Sequence, residues 1–139
     1  MILLTPDLRF ALRANDINRR AAARDEKPEP DPVPVLKLFN PVGAATWIAT
    51  ELYDDGDTLF GLADLGFGCP ELGVFSLSEI ASVRLPFGLG IERDLSFASI
   101  HPMSAWTIAA QLSGSIQAAE QILRRTARPS DNELPPTGG

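Results

Sequence analysis

The sequence predicts an α+β domain: a small antiparallel sheet with an N-terminal helix, a short middle helix and a C-terminal helical extension. Three observations predict it. Thr5-Pro6-Asp7 has the chemistry of a helix start, apolar and polar residues alternate on both sides of Asp54-Asp55-Gly56-Asp57, and from Ser104 apolar residues recur at spacings of three and four. Strands joined by tight turns and kept apart from the helices belong to an antiparallel α+β arrangement.

Each element has its local reason. Thr5 suits an N-cap, Pro6 the first helical position and Asp7 the first turn, where the helix dipole favours a carboxylate. Leu8, Ala11, Leu12 and Ile17 then form an apolar stripe at helical spacing. From Arg24 to Pro34 the run RDEKPEPDPVP reads as an extended surface linker, since proline removes donors and mixed charge stays solvated.

Val35–Phe39 and Ala45–Tyr53 read as strands. Strict alternation in the second places Trp47, Ala49, Glu51 and Tyr53 on one face, with Ile48, Thr50 and Leu52 on the other. The acidic turn at 54–57 closes a hairpin onto a returning strand, Thr58–Leu65, with Phe60, Leu62 and Asp64 on one face. After a loop containing Gly66 and Gly68, Val74–Leu77 reads as a short strand and Ser78 as the cap of a short helix. Pro86–Gly90 turns, and Ile91–Phe97 is a last strand. From Ser104, the positions Ala105, Ala109, Leu112, Ile116, Ala119 and Leu123 trace a heptad-like seam on one helix, and Glu120 can pair with Arg124. Gly114 and the shortness of the seam favour packing on the chain's own sheet over a coiled coil. Residues 1–100 thus form one α+β domain, 101–127 a helix that packs on it or dimerises through 104–125, and 128–139 a disordered tail.

Composition narrows the function classes. The chain has 139 residues, a single-domain length, and carries 18 acidic against 12 basic side chains, a net charge of −6. No basic stripe is present to neutralise phosphates, so direct nucleic-acid binding is not expected. The single cysteine, Cys69, forbids an internal disulfide and fits a reducing compartment. The opening MILLTPDLRFALR lacks the basic region and cleavage site of a signal peptide, and the uncharged run around 101–119 is too short and too polar to span a bilayer. The expected location is the cytoplasm, with no membrane contact.

No reaction centre is legible. Gly61, Gly66, Gly68 and Gly73 match neither a dinucleotide fingerprint nor a phosphate loop. One cysteine and one histidine, His101, cannot make a zinc site. The carboxylates Glu51, Asp64, Glu71, Glu92 and Asp94 sit in or beside predicted elements. Two or three of them converging could hold a divalent cation. The plainer reading places Glu51, Glu92 and Asp94 on solvated strand faces. It gives Asp64, an acid on an apolar face, a structural partner: loop amides of Gly66–Gly68, Arg84 or Arg93. Trp47, beside Glu51 and Tyr53, is the aromatic best suited to anchor a partner.

The segments LLTPDLRFALRAN, VLKLFNPVGAATWIATEL, FGLADLGFGCPELGVFSLSEI and IERDLSF, in that order, resemble DUF2958, a family of uncharacterised bacterial proteins often carried on plasmids and integrative elements. The resemblance covers roughly residues 3–97 and is carried by the ATW, DLG, PELG and ERD patches together. It picks out Trp47, Glu51, Asp64, Gly66, Glu71, Gly73, Glu92, Arg93 and Asp94 without giving them roles, and leaves the region from Ser104 as an extension.

The leading functional expectation is a non-enzymatic accessory module of a mobile genetic element. It would bind a protein partner, such as a nucleic-acid-binding protein, through an acidic surface and without a cofactor. The candidate binding residues are Trp47, Glu51, Tyr53, Asp64, Glu71, Glu92, Arg93 and Asp94. The alternative is a metal-dependent, nuclease-like hydrolase with Glu51, Asp64 and Glu71 as ligands and Arg84 or Arg93 near the substrate.

Overall fold

The computed structural model describes residues 1–126, so the expected disorder of residues 128–139 lies outside the described residues. The order of elements is α1 (Pro6–Arg24), β1 (Leu36–Phe39), β2 (Thr46–Leu52), β3 (Thr58–Asp64), β4 (Glu71–Ser76), α2 (Leu77–Ala81), a 3-10 turn (Pro86–Gly88), β5 (Glu92–Arg93), α3 (Met103–Ser113) and α4 (Ile116–Thr126). The five strands form one sheet in the order β4-β3-β2-β1-β5, with every neighbouring pair antiparallel. The α+β expectation holds.

The sheet is covered on both faces. On one side α1 packs with Leu12, Leu36, Leu38, Ala49, Leu52 and Leu59. On the other, α3 and α4 bring Met103, Trp106, Ala110, Ile116 and Ala119 onto Ile48 and Leu62. Each fully buried leucine or isoleucine contributes about 1.5–3 kcal/mol relative to exposure, so both half-cores are needed.

Thr5 caps α1 as expected, its hydroxyl accepting from Leu8 N at 3.2 Å. The helix runs a full two turns beyond the predicted stripe. Ile17 is exposed and Asp16 is buried instead. The proline-rich linker has no regular structure but is more than a surface connection. Pro32 O accepts from Met103 N at 2.9 Å, and the Asp31 carboxylate accepts from the backbone and hydroxyl of Ser104. Since Pro102 at the start of α3 makes no side-chain cap, Asp31 satisfies that helix end from a distance.

Three element boundaries differ from expectation, each for a local reason. β4 starts at Glu71, directly after the glycine loop, because Ala63 and Glu71 already pair; Gly73 hides the alternation in the sequence. The cap of α2 is Ser76 rather than Ser78, with its hydroxyl accepting from Glu79 N. The last strand shrinks to Glu92–Arg93, because the Asp94 carboxylate turns back to accept from Ser96 N and Oγ and ends the pairing.

The predicted single C-terminal helix is two helices. Gly114 adopts φ +89°, a left-handed C-cap, and folds α4 back against α3. Ala109, Ile116, Ala119 and Leu123 of the seam are buried within the fold, whereas Leu112 is exposed. The Glu120–Arg124 pair forms at 3.4 Å, and Glu120 also holds Lys37 Nζ at 2.8 Å, tying α4 to β1.

Candidate functional site

β2 carries a bulge that decides the site. The pairing with β3 runs Ala49↔Gly61 and then Glu51↔Phe60, leaving Thr50 as the extra residue. The strict alternation read from the sequence therefore breaks at Thr50. Trp47 and Ala49 stay on the α1 side, while Glu51 turns to the Phe60 and Leu62 side beneath α3, and Tyr53 lines the same cleft. The expected grouping of Trp47 with Glu51 and Tyr53 is corrected by this one residue. Trp47 packs, half-buried, against the α1-side core.

The bulge needs Gly61. A Cβ there would lie 1.9 Å from the Ile48 carbonyl oxygen, so no side chain fits where the two strands approach. Asn15 Nδ2 takes the displaced Thr50 carbonyl at 2.9 Å, and Arg13 Nη1 takes Leu52 O at 2.7 Å. The polar face of α1 is thereby fastened to the irregular stretch of β2.

Beside the bulge lies a charge network. Asp16 is fully buried, and its carboxylate accepts from Arg13 Nη1 at 2.7 Å, Arg19 Nη2 at 3.2 Å and Arg20 Nε at 3.0 Å. Burial opposes its ionisation, but the bonds and charges of Arg20 and Arg13 outweigh burial and hold its pKa below the ordinary value. Arg19 Nε also donates to Glu51 Oε1 at 2.7 Å. Glu51 is only 2% exposed. For it burial wins, and its pKa is raised despite the Arg19 bond. The guanidinium carbons of Arg19 and Arg20 lie 5.8 and 5.0 Å from the centroid of the Tyr53 ring. Glu51 was expected on a solvated strand face; the bulge and the α3 cover bury it instead.

Glu51 forms part of the wall of a cleft of about 560 Å³ between the sheet, the linker and α3. Arg19, Glu29, Asp31 and Glu51 supply its charges; Tyr53, Phe60, Leu72 and Ile108 supply much of its apolar surface. A concave, mostly apolar site with a few convergent polar groups and a perturbed carboxyl has the general form of a binding site.

The remaining sequence candidates lie elsewhere. Asp64 is buried and accepts from Gly66 N at 2.9 Å, the expected loop partner, and from Ile116 N at 2.9 Å, which caps α4. It is structural. Glu71 pairs with Ala63, so the pleat points it to the face opposite Asp64 and Glu51. The three proposed metal ligands therefore do not meet, and no group of three or more His, Cys, Asp or Glu able to hold a metal occurs among the described residues. Glu92, Arg93 and Asp94 line a separate depression with Lys37 and Glu120. There Arg93 Nη1 donates to Ile2 O at 2.6 Å, and Lys37 Nζ approaches Asp94 Oδ2 at 3.5 Å. Burial opposes ionisation of Asp94, but the Ser96 bonds and the Lys37 charge lower its pKa.

Sequence reasoning missed Arg13, Asp16, Arg19 and Arg20. A signal existed: an acid flanked by arginines at i−3, i+3 and i+4 is a preorganised helical cluster. No curated relative and no solved structure matches the chain. A family model described as "Protein of unknown function (DUF2958)" matches residues 3–117, which takes in all of α3 and the start of α4 and so extends past the 3–97 interval suggested by the motifs. No helix among the described residues is long and apolar enough to cross a membrane. With the matched interval covering most of its length, the chain belongs to the DUF2958 family.

Proposed function

We propose that this protein is a non-enzymatic interaction module, an accessory protein of a mobile genetic element that acts in the cytoplasm by binding a protein partner through an acidic surface. The mobile-element assignment rests on the family resemblance. The binding assignment rests on one observation: the sheet ends at β4, an edge strand whose Leu72 and Val74 are solvent-exposed beside the exposed Ile108 and Leu112 of α3. Val74 is 59% exposed and Ile108 60%, and Leu72 and Ile108 both enter the wall of the acidic cleft. An open edge offers unpaired backbone groups, and an apolar margin beside it is a surface of the kind partners cover.

Affinity capture from the native host, read by mass spectrometry with nuclease present, tests this. A stoichiometric protein should be retained by the wild type and by Phe10→Ser, which alters an exposed residue on the opposite face, and lost with Val74→Asp or Ile108→Asp. Retention should weaken as salt rises, because exposed charge pairs are screened. Loss with Phe10→Ser but not with Val74→Asp would place the contact on α1 and remove this reading.

A further inference from the structure

Resting on that reading of the β4 edge as a contact surface, we infer that in the free protein the edge is occupied by a second copy of this chain. The two β4 strands pair antiparallel about a two-fold axis at Gly73 and join two five-stranded sheets into one continuous sheet. A partner strand that takes the edge then has to displace the copy.

The hydrogen-bond alternation of the strand decides what the edge offers. Leu77 N donates to Asp57 O at 2.9 Å in line with the β3–β4 register, so Phe75, Gly73 and Glu71 turn their backbone groups towards β3. The N–H and C=O groups of Leu72, Val74 and Ser76 therefore point out of the sheet. The β3–β4 pairing runs without a bulge, and from Leu72 to Ser76 there is no proline, lysine or other charge. Those are the devices that keep a solitary edge from pairing, and β4 lacks them. At its centre a Cβ on Gly73 would meet nothing within 4 Å, so no side chain obstructs an approaching backbone there.

A second copy complements this edge in backbone, apolar surface and charge. With the axis at Gly73, Leu72 of each copy lies opposite Val74 of the other as a hydrogen-bonded pair, so the outward groups of both residues are satisfied. Leu72 pairs with Leu62 and so shares the face that carries α3. Leu72 and Val74 of the two copies therefore meet on that face, beside the exposed Ile108 of each. The Glu71 carboxylates fall at opposite ends of the pairing, each across from Phe75. An axis at Val74 would set Leu72 against Ser76, and an axis at Leu72 would bring the two carboxylates closer together. The paired strands with Leu72, Val74, Ile108 and Leu112 bury on the order of 1,200 Å² in total, the lower limit of a specific interface, which corresponds to a Kd of roughly tens of micromolar.

Sedimentation velocity of the full chain, at concentrations from about 5 to about 500 μM that bracket this Kd, tests the inference. The wild type and Phe10→Ser should pass from monomer to dimer. Val74→Asp and Ile108→Asp, both at exposed positions, should weaken association at least about tenfold. Each copy carries a net charge of −6, so added salt should strengthen the dimer, the opposite of the trend for a partner held by the acidic surface. Cross-linking reads the register. Gly73→Cys in a Cys69→Ser background should form an intermolecular disulfide on mild oxidation, because a non-hydrogen-bonded pair holds its Cα atoms about 4.5 Å apart. The wild type, whose exposed Cys69 lies well away from the axis, should cross-link far more slowly. A chain that stays monomeric at the highest concentration, a dimer that survives Val74→Asp or Ile108→Asp, or a Gly73→Cys variant no faster to cross-link than the wild type would each overturn the inference. A monomer whose cellular partner is lost with Val74→Asp would remove the second copy and leave the interaction reading standing. A dimer broken by Val74→Asp, with a different cellular protein still retained by that variant, would remove the proposed partner contact and leave the second copy standing.

Discussion

Two carboxylates a few ångströms from the same arginines titrate in opposite directions. Asp16 accepts from three guanidinium groups, which outweigh its burial; Glu51 accepts from one, and burial dominates. The difference is one of donor count set against the cost of burial. It has a consequence for stability. A carboxyl whose folded pKa exceeds its unfolded value holds its proton more tightly in the native state. Its contribution is therefore fully present below the ordinary value of 4.5 and is lost as pH rises through the folded value. The unfolding free energy of the wild type minus that of Glu51→Gln should fall over that window and be level above it, measured by urea denaturation across the pH range. A difference that rises with pH would mean that Arg19 dominates the Glu51 environment. The burial of Glu51 was not legible in the sequence, where it sits in a clean alternating pattern, whereas the arginines three and four residues from Asp16 were. Burial of Glu51 depends on the bulge and on what packs over it, which no stretch of neighbouring residues reveals.

At the scale of elements, the β2–β3 pair shows how one residue redirects a strand. Thr50 is inserted, Gly61 yields the room, and every side chain beyond Ala49 changes face. Gly61→Ala would push a Cβ into backbone that cannot move without breaking the ladder, so it should cost at least about 3 kcal/mol or prevent folding. Gly73→Ala, one position across on β4, meets nothing within 4 Å and should change stability by less than about 1 kcal/mol. Thermal or chemical denaturation of the two variants separates a glycine required by close approach from one that is not. The helix starts, the acidic hairpin turn and most of the strands were legible because caps, turns and alternation are local chemistry. The bulge was not, because a strand read alone has no partner against which to slip. The break at Gly114 was a visible weakness in helix propensity, but the reversal it permits is rewarded by packing of α4 on α3 and on the sheet beneath both.

The whole molecule is a sheet clamped between α1 and the α3–α4 pair, and single side chains hold the layers in register. Asp64 is the clearest. From the end of β3 it takes Gly66 N in its own loop and Ile116 N at the start of α4, so one carboxylate sets both the glycine loop and the C-terminal helix. Asp64→Ala should destabilise the chain by about 1–3 kcal/mol, since it strands a buried amide as well as removing a cap. Chemical denaturation measures the loss, and hydrogen exchange should show faster opening of the first turn of α4 than of α1. Uniform exchange across both helices would show that Asp64 does not couple the layers.

The sequence by itself determined the α+β class, the start of α1, the hairpin at 54–57 and membership of the family, because each is written in residues adjacent along the chain. Only the tertiary structure decided that Glu51 faces α3, that Glu71 turns away from it, that the proline-rich linker caps α3, and that the last helix is two. Those outcomes depend on strand register and on packing between distant segments, where the free energy of burial and of satisfied backbone groups outweighs local preference.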